Sequence, residues 1–142
     1  MLRIRTATEA DVEPLYQMLC ELENEVLRRS DFTRVLQTNL RNPDIRYFLA
    51  EWEEQPVGMA SCHVQFLLHH AAPVAEIQEM YVEVALRSSG IGKRLIDEVV
   101  AFARSRGAVH LEVTSNQLRA DTHRFYEREH FQRTHYKLVR RL

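Results

Sequence analysis

The spacing of apolar residues along the chain changes between a period of two and a helical period, and these periods predict its elements. Alternation of apolar residues with arginines over residues 2–5 predicts a short first strand. The sequence T-E-A-D at residues 8–11 resembles a capping box that starts a helix over residues 12–22. A second helix is predicted from Phe32 to Leu40, and it ends before Pro43 because the residue before a proline avoids the helical conformation.

Extended segments come next, followed by a region in which helices and strands alternate. An amphipathic helix begins at Ile91 and is ended by Gly107, since glycine suits the left-handed position after a helix. This order predicts an α/β (α+β) fold, one domain over residues 1–142 with a mixed, mostly antiparallel twisted sheet and helices on both faces. The other predicted segments are strands at Arg46–Trp52, Val57–Leu68, Ala75–Val84 and Val109–Thr114, a helix at Thr122–Glu129 and an extended closing segment at Tyr136–Leu142.

The central strand predicted from Ala75 to Val84 contains an irregularity. Its apolar residues lie at odd positions up to Ile77 and at even positions from Met80 onward. A regular strand has a period of two, so this change predicts one extra residue, a β-bulge, that splays the strand from its neighbour. Backbone groups left unpaired by a bulge can bind an extended, amide-bearing ligand as if it were a strand. The alternative is a strand buried on both faces, where the phase carries little meaning.

Directly after this strand, residues Arg87 to Lys93 read R-S-S-G-I-G-K and open the amphipathic helix. A helix N-terminus offers free N–H donors, and Gly90 and Gly92 permit close approach, so the segment is typical of a phosphate-binding turn. A polar turn with a glycine N-cap is the alternative. The spacing disfavours a nucleoside triphosphate loop, which needs glycine at Arg87, and a dinucleotide fingerprint, which needs a small residue at Leu95.

Composition and charge narrow the function classes. The chain has 142 residues, of which 45% are hydrophobic and 27% charged, a mixture typical of a globular protein. The net charge of -1 disfavours a general nucleic-acid-binding protein, whereas residues 72–142 hold 12 basic and 9 acidic residues and favour a small polyanionic ligand. Only Cys20 and Cys62 are cysteines, and there is no signal-like start and no apolar run of roughly 18 residues, so a cytoplasmic protein without a membrane partner is expected.

Together these features resemble the GCN5-related N-acetyltransferase (GNAT) superfamily. The resemblance is carried by Met80-Tyr81-Val82, by R-x-x-G-x-G from Arg87 to Gly92, by Asn116, by residues 122–128 and by His130-Phe131. The sequence departs from the family pattern, without losing a reacting group, at Val84, Ser88, Thr122 and His130. A closer likeness, to the aminoalkylphosphonate N-acetyltransferase branch, rests on residues 42–47, 57–59, 63–70, 76–79 and 123–126. That branch acetylates small primary amines that bear a phosphonate, and a divalent metal is implicated in its activity.

The resemblance implies that acetyl-CoA is the cosubstrate and lies between the splayed strands. The backbone of Met80 and Val82 would then hold the pantetheine and polarise the thioester carbonyl. The turn from Arg87 to Lys93 would hold the pyrophosphate. The residues expected to bind the cofactor are Met80, Tyr81, Val82, Arg87, Ser88, Ser89, Gly90, Ile91, Gly92, Lys93, Asn116 and Arg119.

By the same resemblance, the acetyl group passes directly to an amine, which attacks only when it is unprotonated. Glu76, acting directly or through a water, is the candidate general base, since the family pattern places a carboxylate at this point. Glu79 competes for this role, because a bulge changes which side chains face the pocket. Alternatively, both carboxylates only balance nearby arginines. Tyr126 matches the family's general acid, which would give a proton to the CoA thiolate, although a plain core aromatic residue is the alternative.

The expected substrate is a small primary amine, and its candidate contacts are Arg46, Ser61, His63 and Glu79. His63 and His69 share one face of a regular strand, so they are the candidates for a divalent metal that bridges to a phosphonate; surface histidines without a metal are the alternative. The apolar closing segment could pair with a second copy of the chain, which predicts a homodimer. A protein or peptide N-acetyltransferase and a CoA-binding module without activity are the competing functions.

Overall fold

The computed structural model describes residues 1–115 and 119–142. In chain order the elements are β1 Leu2–Thr6, α1 Val12–Glu23, α2 Arg29–Leu40, β2 Ile45–Trp52, β3 Gln55–Leu67, β4 Ala72–Ile77, β5 Met80–Val82, α3 Ile91–Ser105, β6 Leu111–Val113 and α4 Ala120–Arg128. Single turns of 3₁₀ helix lie before α1, after β3 and after β5. The predicted order of helices and strands is therefore present up to α4.

The strands of the described ranges form one six-stranded sheet in the order β1-β2-β3-β4-β6, and β5 pairs with β3 beside the end of β4. Neighbouring strands are antiparallel except for β4 and β6, which are parallel. The predicted mixed, mostly antiparallel sheet is confirmed. Strand β3 pairs with β4 along one part of its length and with β5 along another, so β4 and β5 separate from each other beside β3.

Helices cover both faces of the sheet, because alternate residues of each strand enter two separate cores. On one face, Phe48 of β2 packs with Leu95 and Val99 of α3. On the other face, Leu49 of β2 and Met59 of β3 pack under α1 and α2. Burial of each large apolar side chain contributes about 1.5–3 kcal/mol, so the two layers hold the sheet as a stable support for the loops at its end.

The start of α1 is held to β1 by the predicted capping box. The Oγ1 atom of Thr8 accepts a hydrogen bond from the N–H of Ala10 at 3.3 Å, and Asp11 Oδ2 accepts one from the N–H of Thr8 at 2.8 Å. Two further hydrogen bonds of 2.8 Å join the guanidinium of Arg5 to the Asp11 carboxylate. These contacts with Arg5 lower the pKa of Asp11 below its ordinary value, although burial opposes the shift.

The predicted closing strand is wrong. Among the described residues, none beyond Val113 belongs to a strand, and Tyr136 and Leu138 are 96% and 95% exposed. These exposed side chains are not packed against the sheet, and the homodimer expected through this segment stays a prediction.

Candidate active site

The predicted β-bulge lies between β4 and β5. The pairing of β3 with β4 ends at Glu76, and its pairing with β5 begins at Met80. Between these points, two residues of β3 lie opposite three residues, 77–79. Ser61 of β3 is fully buried and closes the bulge, since its N–H donates to the carbonyl of Glu79 at 2.9 Å and its Oγ accepts from the N–H of Glu79 at 2.9 Å.

Beyond the bulge, β4 and β5 diverge. Strand β4 continues beside β6, whereas β5 pairs with β3 alone within the described ranges. The carbonyl of Glu79 accepts from β3 at 2.9 Å, and the N–H of Glu83 donates to β3 at 2.8 Å. Because alternate residues of a strand direct their peptide groups to opposite sides, those of Met80 and Val82 face the gap between β5 and β6. This free edge can hydrogen-bond an extended ligand.

The gap opens into a cleft of about 1510 Å³ between β5, the start of α3, the end of β6 and α4. Eleven of the candidate residues line it: Glu79, Met80, Tyr81, Val82, Arg87, Ser88, Gly90, Gly92, Lys93, Arg119 and Tyr126. Ile91 is instead buried in the core at 3% exposure, and the hydroxyl of Ser89 donates to the carbonyl of Leu86. Asn116 lies outside the described residues, so its predicted role stays a prediction.

The turn before α3 presents backbone N–H groups to this cleft. Gly90 and Ser88 both adopt left-handed backbone conformations, with φ of 92° and 66°. A Cβ atom added to Gly90 would have no atom within 4 Å, so this side of the turn is open. Glycine adopts the left-handed region without a penalty, whereas a serine there carries a small strain. The turn and the N-terminus of α3 form a site suited to an anion.

The two cations of this turn are already paired within the protein. Arg87 donates its Nε to the carbonyl of Val82 at 2.9 Å and lies over the ring of Tyr81, 5.6 Å from its centroid. Lys93 Nζ lies 3.5 Å from Asp97 and 3.8 Å from Glu129. The anion site therefore depends first on the backbone donors of α3, with the Lys93 charge partly balanced by its carboxylate neighbours.

Tyr126 of α4 brings a phenol to the floor of the cleft. Its ring is 8% exposed and packs against Phe125 and Phe131, with centroids 5.2 and 5.4 Å away. Its hydroxyl donates to the Sδ of Met80 at 3.6 Å, beside the free edge of β5. Burial raises the pKa of Tyr126 to about 12, although the charge of Arg119 acts in the opposite direction. The phenol is therefore protonated at neutral pH and able to donate a proton.

The two candidate bases occupy different environments. Glu79 lines the cleft from the bulge, and its Oε1 accepts a hydrogen bond from the Oγ of Ser61 at 2.6 Å. Glu76 does not line the cleft, and its Oε2 accepts from the hydroxyl of Thr114 at 3.2 Å. The extra residue of the bulge changes the facing of the chain after Ile77, which is why Glu79 reaches the cleft directly.

Three predicted substrate or metal residues lie elsewhere. Arg46 does not line the cleft: its guanidinium lies over Phe102 on the α3 face, 4.4 Å from the ring centroid, and its predicted contact with the substrate stays a prediction. His63 packs edge-on against Tyr47, and its buried Nε2 has no hydrogen-bond partner among the described residues. His69 is exposed at the end of β3 and stacks on the neighbouring His70.

The donor set for the expected metal is not assembled. Within residues 1–115 and 119–142, no group of three or more His, Cys, Asp or Glu side chains is arranged to hold a metal ion. His69 lies in a short 3₁₀ turn after β3, and so the regular-strand spacing with His63 does not apply to it. The residues present therefore do not fit the predicted site at His63 and His69.

Sequence reasoning missed an acidic segment that borders the cleft. Glu21, Glu23 and Asn24 at the end of α1 line it, and the carboxylate of Glu21 accepts a hydrogen bond from the hydroxyl of Tyr81. On the opposite side, Arg119 reaches across and donates to the carbonyl of Leu22 at 3.1 Å. The run E-L-E-N-E at residues 21–25 was the available signal, but its position beside the bulge depends on the packing of α1.

No helix in the described part of the chain is long and apolar enough to cross a membrane. The Acetyltransferase (GNAT) family model matches residues 12–131. The aminoalkylphosphonate N-acetyltransferase of Salmonella typhimurium strain LT2 is 37% identical over 139 residues, which covers 98% of this chain and 90% of that protein.

Two solved structures resemble the whole chain. A transcriptional regulator from Bacillus halodurans C-125 is 25% identical, with a TM-score of 0.91 and full coverage of both chains. An aminoglycoside N-acetyltransferase, AAC(6')-Iy in complex with CoA, is 15% identical, with a TM-score of 0.90 and coverage of 100% of this chain and 95% of that one. The cleft, the anion-binding turn and these matches agree, and the chain belongs to the GNAT family of acetyl-CoA-dependent N-acetyltransferases.

Proposed function

We propose that this protein, as one domain over residues 1–142, transfers the acetyl group of acetyl-CoA to the primary amine of a small molecule. The observation that carries the proposal is the cleft between β5 and β6, with the anion-binding turn at one end and the phenol of Tyr126 beside the free edge of β5. The turn suits the pyrophosphate, and the peptide groups of Met80 and the N–H of Val82 suit the pantetheine amides. The carbonyl of Val82 already accepts a hydrogen bond from Arg87.

The reaction is a direct attack of the amine on the thioester carbonyl. A bond forms between the amine nitrogen and the acetyl carbon, the bond between that carbon and sulfur breaks, and the amine proton passes to a base. A peptide N–H at the edge of β5 stabilises the negative charge that develops on the carbonyl oxygen. Tyr126 donates its proton to the departing thiolate, and burial keeps this phenol protonated until that step.

A base is needed because a primary amine has a pKa of about 10.4, as in lysine, and is mostly protonated at neutral pH. Two carboxylates compete. Glu76 fits the family pattern and would act through a water, since its side chain does not line the cleft. Glu79 lines the cleft and is supported by its direct access and by the hydrogen bond from Ser61.

Substitution by glutamine distinguishes the two carboxylates. The variant that removes the base should lower kcat/KM by about 10²–10⁴-fold, because glutamine cannot accept the proton. The other variant should lower kcat/KM far less. Glu98→Gln, on the exposed face of α3, is the matched control and should behave like the unsubstituted protein. If neither Glu76→Gln nor Glu79→Gln lowers kcat/KM to this extent, neither carboxylate is the base.

The function is tested with acetyl-CoA titration calorimetry and a thiol-release assay. The amine panel contains 2-aminoethylphosphonate and 1-aminoalkylphosphonates, chosen because the Salmonella relative is named an aminoalkylphosphonate N-acetyltransferase, together with alkylamines, polyamines and peptides, each with and without chelator. We expect binding of acetyl-CoA and turnover of at least one small amine. Turnover of peptides alone would favour a protein N-acetyltransferase, and binding without turnover of any amine would favour a CoA-binding module.

A further inference from the structure

A second cavity of about 320 Å³ adjoins the cleft, and Glu23 and Glu79 line both spaces. It lies between the end of α1, the loop to α2, α2 itself and β2. Its size falls at the lower end of the range for small-molecule pockets. Glu79 lines both this cavity and the cleft, so the carboxylate stands where the two spaces meet. A small molecule in the second cavity would therefore reach the thioester past Glu79.

The wall of the second cavity is mainly apolar. Six of its lining side chains are aliphatic or aromatic: Leu19, Leu27, Phe32, Val35, Leu36 and Tyr47. The Tyr47 hydroxyl accepts a hydrogen bond from Asn39 Nδ2 at 2.7 Å and keeps its own proton to donate. Apart from this one polar atom, the wall suits a ligand body without polar groups, which it can bury without leaving such a group unpaired.

The charges of the second cavity all have one sign. Glu23, Glu25 and Glu79 line it, and among its described lining residues there is no Lys, Arg or His. Arg119, which lines the larger cleft, donates to the carbonyl of Leu22 instead. Carboxylates attract an ammonium group and repel a phosphonate, which would need an arginine or lysine partner. Arg46, the arginine expected to supply that partner, lies on the other face of the sheet over Phe102.

Glu79 is fixed at the junction by its neighbours. The hydroxyl of Ser61 donates to Glu79 Oε1 at 2.6 Å and accepts from the N–H of Glu79 at 2.9 Å. The N–H of Ser61 donates to the carbonyl of Glu79 at 2.9 Å. A carboxylate that is held in one position orients an ammonium group toward one point, here the mouth of the cleft. Glu23 and Glu25 are exposed, and Glu23 lines the cleft as well as the second cavity. Their charges attract a cation from solvent toward these spaces.

We infer that the second cavity is the amine-binding site and that it selects primary amines with an apolar body and no anionic group. The ammonium nitrogen meets Glu79, and the hydrocarbon portion packs against Leu27, Phe32 and Leu36. This inference rests on the proposed acetyl transfer. It separates this chain from the Salmonella relative, whose name specifies a phosphonate-bearing amine.

The test compares two amines of similar length, 3-methylbutylamine and 3-aminopropylphosphonate, in the thiol-release assay. We expect kcat/KM to be higher by about tenfold or more for 3-methylbutylamine, both with EDTA and with added manganese chloride. The reason is that the carboxylates of the cavity repel the negative charge of the phosphonate. A preference for the phosphonate in both conditions would overturn the inference. A preference for the phosphonate that appears only with manganese would also overturn it, because the carboxylates would then be holding a cation for an anionic substrate.

Charge reversal at the cavity gives an independent test. Glu25→Arg places a cation at an exposed lining position. It should lower the ratio of kcat/KM for 3-methylbutylamine to kcat/KM for 3-aminopropylphosphonate by about tenfold. Glu98→Arg makes the same change of charge on α3, outside both cavities, and should leave the ratio unchanged. Equal ratios in the two variants would overturn the inference. Calorimetry with acetyl-CoA distinguishes this outcome from failure of the proposed function. If the proposed function fails, acetyl-CoA does not bind.

Discussion

Replacing Ser61 by alanine tests the bulge and the position of Glu79 together. The hydroxyl of Ser61 accepts from the N–H of Glu79 at 2.9 Å and donates to Glu79 Oε1 at 2.6 Å, in a fully buried position. Alanine removes both contacts and leaves a buried N–H without its side-chain acceptor. The carboxylate also loses the donor that holds it at the junction of the two cavities.

The expected loss of stability follows from these two contacts. Leaving a buried donor unsatisfied costs about 1–3 kcal/mol, and losing a hydrogen bond to a charged group costs about 1.5–3 kcal/mol. The two contacts share one oxygen and so do not add in full, which gives an expected loss of about 2–4 kcal/mol for Ser61→Ala. Ser105→Ala is the matched control, since its Oγ donates to one carbonyl, that of Phe102 at 2.6 Å, and its loss should cost about 1 kcal/mol.

Urea unfolding measures the stability of both variants, with an unchanged m value as the check that only stability changed. The kinetic assay then measures KM for the amine and for acetyl-CoA. Ser61→Ala should raise the amine KM, whereas its KM for acetyl-CoA should change little. If Ser61→Ala is no less stable than Ser105→Ala and binds the amine as before, Ser61 does not hold the bulge or position Glu79.

Three further predictions concern the cofactor site and the start of α1. Tyr126→Phe should lower kcat by about 10²-fold or more while acetyl-CoA still binds, and an unchanged kcat with rate-limiting acetyl transfer would remove this residue from the mechanism. Gly90→Ala and Gly107→Ala each place a Cβ atom at a positive φ in open space, so each should lower the stability by about 1–2 kcal/mol. Only Gly90→Ala should also raise the KM for acetyl-CoA. The pKa of Asp11 in the folded protein is below its unfolded value of 3.8. Its pairing with Arg5 therefore stabilises the protein above about pH 4, and this stabilisation is lost as the pH falls through the folded pKa. In urea unfolding, Asp11→Asn should lower the stability at neutral pH and make it depend less on acid pH.

Local patterns were enough to predict several parts of the site. The change of phase between Ile77 and Met80 indicated the bulge, because successive side chains of a regular strand point to opposite faces of the sheet. The glycine at position 90 indicated the open turn before α3 for a similar reason, since a positive φ restricts the residue type. Both predictions depended on neighbouring residues alone.

Other parts depended on contacts between distant segments. The spacing of residues 136–142 suited a strand, but a strand forms only where it pairs with another, and among the described residues none beyond Val113 is paired. Arg46 suited an oxyanion, yet the register of β2 turns it to the face where Phe102 lies. Which of Glu76 and Glu79 lines the cleft likewise depended on the position of the bulge relative to Ser61, which lies 18 residues before Glu79.

The order of elements up to α4, the bulge, a turn suited to an anion and the likeness to the family therefore follow from the residues alone. These features follow from periodicity and from residue types that a local backbone shape requires. Only the tertiary structure decided which side chains meet in the two cavities. The acidic and apolar wall of the second cavity comes from α1, α2, β2 and the bulge, and these segments are brought together by burial of a shared core that no local pattern describes.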